Sequence, residues 1–300
     1  MDSEKKLKTE SGLSLFHPWV SFIHFVAMIA GTLLFIHPVF VAVSLACAIF
    51  SSVMINGRKT VFATLGFGIP MFVFIALANP LFNHRGMTVL FYLFDNPITL
   101  EATVYGIVSA GMMFAAVVWF TCYNTVVTSD KFIYIFGRVL PSIALIVSMT
   151  LSLIPRLIEQ IKVIADSQRS IGLDWKSGSI KQRIRSGARI LSILVSWALE
   201  DAVITADSMR ARGYGQHKRS VFSIFRFGKK DGKMLALILV LFAAEIFTYA
   251  SGRGTMEFYP AMFFRKIDLI DIIIYFLYIT LGILPAVIQI KEDLKWKQLK

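Results

Sequence analysis

The sequence predicts an all-α polytopic membrane protein, with about six transmembrane helices and a set of long amphipathic helices on the cytoplasmic side. Three observations lead there. Of the 300 residues, 56% are hydrophobic and the mean hydropathy is +0.67, against about 45–50% apolar in a soluble domain. The apolar residues form blocks of about 20, the length a helix needs to cross a bilayer. The net charge of +12 comes from only 17% charged residues, and those are concentrated between the blocks.

The first predicted span is Trp19–Ile36, with Trp19 suited to the membrane interface. His37-Pro38 breaks it, and Pro38–Ile55 returns as the second, so the two form a tight hairpin. Asn56-Gly57-Arg58-Lys59 is a short basic turn before the third span, Thr60–Ala78. Asn79–Asn96 reads as a loop, and Thr99–Thr121 is the fourth span. Lys233–Ser251 and Asp268–Ile288 are the fifth and sixth, followed by a basic tail, Lys291–Lys300, expected at the inner leaflet. The chain thus divides into a membrane region 1–121, a middle module 122–232 and a second membrane region 233–300. Lys5, Lys6 and Lys8 precede a polar stretch without the pattern of a cleavable signal peptide.

The middle module has another character. Its apolar runs, such as Val139–Ile154 and Ile190–Leu199, are short and flanked by charge. Leu157, Ile158, Ile161, Ile164 and Ala165 share one helical face. Ile184, Ala188, Leu191, Val195, Ala198, Ala202 and Ala206 recur at three- and four-residue spacing in a second helix. With both termini in the cytoplasm, 27 of the 31 Lys and Arg fall on the inner side, as the positive-inside rule requires. A crossing by Val139–Ile154 would need a second near Ile190–Val203, which carries Glu200 and Asp201 into lipid at high cost. The expected arrangement therefore keeps these runs at the inner leaflet.

The chain also repeats itself. Ala165-Asp166-Ser167-Gln168-Arg169-Ser170-Ile171-Gly172 returns 41 residues later as Ala206-Asp207-Ser208-Met209-Arg210-Ala211-Arg212-Gly213. Each copy ends a helical stretch and puts Gly at the position where a helix commonly stops. Arg210 and Arg212 fall where a cation complements the helix dipole, which by itself is ordinary capping. Capping does not require Ala-Asp-Ser as well. A repeated small-residue helix end that presents a guanidinium, the fork that pairs with carboxylates and carbonyls, suggests a device for gripping two similar partners.

These residues resemble a family: the transmembrane T component of energy-coupling factor (ECF) transporters, EcfT/CbiQ-like proteins of bacterial and archaeal cell membranes. Ala211-Arg212-Gly213-Tyr214 and the loop Asn79-Pro80-Leu81-Phe82-Asn83-His84-Arg85-Gly86 carry the resemblance. It implies a non-catalytic coupling subunit of an ATP-driven importer of vitamins or transition metals. Two cytoplasmic coupling helices would end in motifs that dock on two ABC-type ATPases. Those ATPases bind the ATP, so the chain needs no cofactor. The motion would pass to a membrane substrate-binding S component. The docking residues implied are Ala211, Arg212 and Gly213, with Arg210, and in the first copy Arg169, Ser170, Ile171 and Gly172. Ile171 stands where the family has its first docking arginine. That contact would use Arg169 or apolar burial, which suits two non-identical ATPases.

Other classes fit less well. There is no GxxxxGK[ST] nucleotide loop and no metalloprotease His/Glu spacing. A membrane lipid-headgroup transferase needs clustered metal-binding aspartates, which Asp201 and Asp207 do not complete. A self-contained secondary transporter or channel needs polar groups along several spans, where this chain offers Glu245 and His24. Glu245 is expected in a structural hydrogen bond between helices, and His24 as a packed residue. The basic excess faces membrane and protein, with no nucleic acid implied. Cys47 and Cys122 read as small apolar residues.

Overall fold

The computed structural model describes residues 12–93, 96–137, 140–175, 179–216, 225–263 and 268–298. The charges expected at Lys5, Lys6, Lys8, Arg138, Lys176, Lys218, Arg219, Arg265, Lys266 and Lys300 lie outside them. The α-helices are α1 (Pro18–Leu34), α2 (Pro38–Asn56), α3 (Arg58–Phe82), α4 (Leu100–Val126), α5 (Ser129–Gly137), α6 (Pro141–Ser170), α7 (Ile180–Ala211), α8 (Lys229–Ala250) and α9 (Leu269–Gln298). A 3-10 turn, Gly12–Leu15, precedes α1. The strands β1 (Val89–Leu93) and β2 (Asn96–Thr99) form an antiparallel hairpin between α3 and α4. The chain divides into two compact units, one comprising residues up to Phe132 and from Phe225 onward, the other Ile133–Ile224.

Among the described residues six helices are long and apolar enough to cross a membrane: α2, α3, α4, α6, α8 and α9. Two details differ from the sequence reading. The first expected span, α1, is 17 residues, and α6, expected along the inner leaflet, itself meets the length and hydropathy needed. The protein is all-α apart from the hairpin, and polytopic.

In the first unit α4 is central, packed on α1, α2 and α3. Lipid gives packed helices no hydrophobic drive, so close backbone approach by small residues takes its place. Ala102, Gly106, Ala110, Gly111, Ala115 and Ala116 of α4 are buried. The ring of Phe114 lies directly over Gly68 of α3. Asn79-Pro80 does not end α3, as the loop reading had it. The helix runs on to Phe82, because Pro80 is buried against α4. The Ala76 carbonyl, which Pro80 has no N–H to satisfy, faces Gly106, where a methyl would stand 2.8 Å from it. The loop beyond is mostly the hairpin, tied by Thr99 Oγ1 donating to the Arg85 carbonyl (2.9 Å) and by the Thr88 N–H donating to buried Glu101 (3.2 Å).

Polar groups within the helices are mostly satisfied internally. Thr32 donates its proton to the Met28 carbonyl (2.7 Å), so it accepts from Ser44 (2.6 Å) and Tyr278 (3.2 Å), while Trp119 Nε1 donates to Ser44 (3.1 Å). Among the described residues the exceptions are both ring nitrogens of His24, the side-chain oxygens of Asn56 and Asn79, and Glu245. Both Glu245 oxygens are buried without a hydrogen-bond partner among the described residues. The expected interhelical hydrogen bond is not made, because the carboxyl faces Gly31 of α1, which offers no side chain, and the Tyr278 hydroxyl is engaged by Thr32. His24 is packed as expected, fully buried and edge-on to Phe25 and Trp119. Cys47 and Cys122 are buried free thiols. The C-terminal tail is no separate element, since α9 runs through Lys291 and Lys295 to Gln298.

In the second unit α6 and α7 pack through Ile164, Ile190 and Leu194, with Leu157, Ala165 and Trp197 alongside. Arg156 pairs with Asp201 at 3.6 Å. The stripes expected from spacing are only partly those used. Ile158 and Ile161 are exposed, and so are Ile184, Leu191 and Val195. On α7 the buried face is shifted by one residue, about 100° around the helix. Alternation alone could not choose between two apolar stripes on a helix that carries both.

Candidate partner-docking site

The two repeated segments finish their helices in the same way. At the end of α6, the Gly172 N–H donates to the Arg169 carbonyl (3.0 Å) and the Leu173 N–H to the Gln168 carbonyl (2.9 Å). At the end of α7, the Gly213 N–H donates to the Arg210 carbonyl (2.9 Å) and the Tyr214 N–H to the Met209 carbonyl (3.0 Å). Both glycines have φ +80°, the left-handed region that costs an L-residue about 1–2 kcal/mol. Each end is thus a Schellman closure that satisfies two of the carbonyls of its last turn. Tyr214 completes the second closure as part of the Ala211-Arg212-Gly213-Tyr214 segment, whereas Leu173, which completes the first, was not part of the motif read from the sequence.

The side chains so presented are nearly all open. Arg169, Ser170, Ile171, Arg210, Ala211 and Arg212 are exposed, with Ile171 at 67% although it is aliphatic. Asp166 and Asp207 are exposed at matching positions. Only the second copy uses its carboxylate in an ion pair among the described residues. Ser170 donates to the Asp166 carbonyl (3.1 Å), whereas Asp207 holds Arg210 in a loose pair at 4.0 Å. Arg169 and Arg212 have no ion-pair partner among the described residues, and that leaves both guanidiniums available.

The two ends are separate sites. α7 is 32 residues long and starts after a capping box in which the Gln182 N–H donates to Ser179 Oγ (3.4 Å) and the Ser179 N–H to Gln182 Oε1 (3.0 Å). At ~1.5 Å per residue, Gly213 lies ~49 Å from the start of α7. The eight steps from Gly172 to Ile180 reach at most ~29 Å. The two glycines are therefore at least about 20 Å apart, too far for one small ligand to bridge.

Residues 12–222, which include both copies, match the CbiQ family model, described as cobalt transport protein. The chain belongs to the CbiQ family. It is similar to the energy-coupling factor transporter transmembrane protein EcfT of Listeria innocua, at 30% identity over 184 residues, covering 56% of this chain and 68% of that protein. It is also similar to EcfT of Bacillus selenitireducens (35% over 105 residues, 35% of this chain) and of Lactobacillus helveticus (32% over 108 residues, 36% of this chain). In these two the match spans 39% of the relative's length. This CbiQ-family chain is a multi-pass membrane protein whose relatives are transmembrane components of ECF transporters. No group of three or more metal-ligating side chains occurs among the described residues.

The closure makes a prediction about this CbiQ-family chain. Gly213→Ala and Gly172→Ala each have room for the methyl, so only the positive φ opposes them. Each is expected to fray its last turn at a cost of about 1–2 kcal/mol. Gly187→Ala, in the interior of α7 with open space around it, is expected to stabilise that helix by about 0.5–1 kcal/mol. Amide hydrogen exchange at Leu173 and Tyr214 reads the difference, and unchanged protection in the terminal variants would contradict it.

Proposed function

We propose that this CbiQ-family chain is the transmembrane coupling subunit of an ECF-type ABC importer. It carries ATP-driven motion from two cytoplasmic ABC-type ATPases to a membrane S component that binds a vitamin or a transition metal. The observation that supports this best is the pair of helix ends with matching closure, each exposed and each with an unpaired arginine. One device built twice, on ends about 20 Å or more apart, suits two partners of the same kind. The chain stays in the bilayer, with both termini and both motifs on the cytoplasmic side. The ATPases bind and hydrolyse the ATP, and the chain contributes no catalytic group.

At the α7 end Ala211 and Gly213 keep the approach open and Arg212 enters the ATPase groove, with Arg210 beside it. At the α6 end, Ser170 and Gly172 take the matching places, and Ile171 replaces the guanidinium by apolar burial while Arg169 supplies the charge. Such unequal ends suit two non-identical ATPases. The exposed stripe Ile184, Leu191 and Val195 on α7 is the surface on which the S component would rest.

The test is a mild-detergent pull-down of the tagged chain from its own cells, followed by mass spectrometry. Two ABC ATPases and a small hydrophobic protein are expected with it. A chain that comes out stable and alone would sink the reading and favour a self-contained transporter.

A further inference from the structure

The chain leaves the first unit after Phe132 and re-enters it at Phe225. Motion carried along the chain from the second unit enters the first at those two points. Both are held by the same short segment, Gly12–His17. On the exit side, the Lys131 ammonium is buried and donates to the carbonyls of Ser14 (2.8 Å) and Val126 (2.9 Å). Val126 is the last residue of α4, so Lys131 caps that helix and the 3-10 turn together. On the return side, Asp231 accepts the His17 N–H at Oδ1 (3.0 Å) and the Gly228 N–H at Oδ2 (2.8 Å). His17 and Gly228 are the N-cap residues of α1 and α8, so one carboxylate caps two helices. The Phe227 ring stacks edge-on against His17 at 5.1 Å. The segment is itself anchored, with Leu13 buried and its carbonyl accepting from Ser21 (2.8 Å), and with Gly12 wedged against Gln289 of α9.

We propose that residues 12–17, gripped by Lys131 and Asp231, form a clasp that transmits motion from the coupling helices into α1, α4 and α8. Lys131 and Asp231 are positioning residues of the transport cycle. The inference rests on the coupling reading above. These contacts exceed plain helix capping in two ways. Each charged group bridges two elements where one would satisfy a cap, and the two bridges flank the entry points of the second unit. Burial brings Lys131 from the ordinary lysine value of 10.5 to about 8. A neutral amine still has two N–H donors for its two carbonyls, so the clasp survives in either state.

The test uses the full complex with its ATPases in nanodiscs. Hydrogen exchange is followed with and without ATP and vanadate, for wild type, Lys131→Met, Asp231→Asn and Lys131→Arg. In the wild type, nucleotide is expected to alter exchange in 133–224 and also in 12–34 and 229–250. In Lys131→Met and Asp231→Asn the response of 133–224 should persist, and that of α1 and α8 should fall at least about fivefold. Lys131→Arg, which can reach both carbonyls, should restore it. Equal responses of α1 and α8 in all four proteins would overturn the clasp. No nucleotide response of 133–224 in the wild type would instead overturn the coupling reading. Should one variant fail to assemble, the other carries the same comparison, because the two grip opposite ends of the segment.

Discussion

If the end of α7 docks an ATPase as proposed, Arg212→Ala is expected to release it and abolish uptake, while the membrane unit stays folded. Arg212 is exposed and makes no ion pair among the described residues, so its removal takes from the free chain only its complement to the helix dipole, about 0.3–1 kcal/mol. In a docked complex it would leave a buried partner charge unsatisfied, a loss of about 2–5 kcal/mol. That corresponds to roughly 30- to 5000-fold weaker binding. Ile171→Ala, at the equivalent place in the first copy, removes apolar area alone and is expected to cost about 1–3 kcal/mol. Binding of each purified ATPase to nanodisc-embedded chain measures both. Intact uptake and normal ATPase recovery with Arg212→Ala would refute its assignment. Equal losses from the two variants would remove the argument for unequal docking ends.

Gly106→Val is expected to prevent recovery of folded protein. The position lies at the crossing of α3 and α4, and the first carbon of any side chain would stand 2.8 Å from the Ala76 carbonyl oxygen. That oxygen is main chain and cannot rotate away. It also belongs to the turn where Pro80 has already removed one hydrogen bond. Overpacking of this kind costs about 1–3 kcal/mol when side chains can yield, and more here, where they cannot. Gly66→Val, on the facing helix α3, has open space around it and serves as the control. Size-exclusion recovery in detergent compares them. A monodisperse Gly106→Val protein with wild-type thermal stability would show that the two helices are not held at this crossing.

The membrane helices could be read from the sequence because their cause is local. A run of apolar side chains has one low-energy arrangement in lipid, with its backbone hydrogen bonds closed inside a helix. Five of the six expected spans accordingly fall on helices long and apolar enough to cross, α2, α3, α4, α8 and α9, while α1 is shorter than a span and α6, expected along the inner leaflet, meets the same criterion. The helix ends at Gly172 and Gly213 could be read for a similar reason, since a left-handed C-terminal residue is a property of glycine itself. What one-dimensional reading missed depends on what lies opposite. Pro80 stays helical because α4 brings Gly106 to the carbonyl that proline leaves free. Ile190 and Leu194 are buried, in preference to Leu191 and Val195, because α6 meets that side of α7. Glu245 lacks its expected hydrogen bond because the helix facing it presents Gly31. The clasp joins residues 117 and 214 positions apart, and no periodicity or spacing encodes such a distance. By itself the sequence determined the protein's solvent, its helices and the repeated helix ends, each set by the chemistry of neighbouring residues. Only the tertiary structure decided which faces meet and which charged groups bridge elements, because those free energies belong to pairs of surfaces that the chain brings together after its helices have formed.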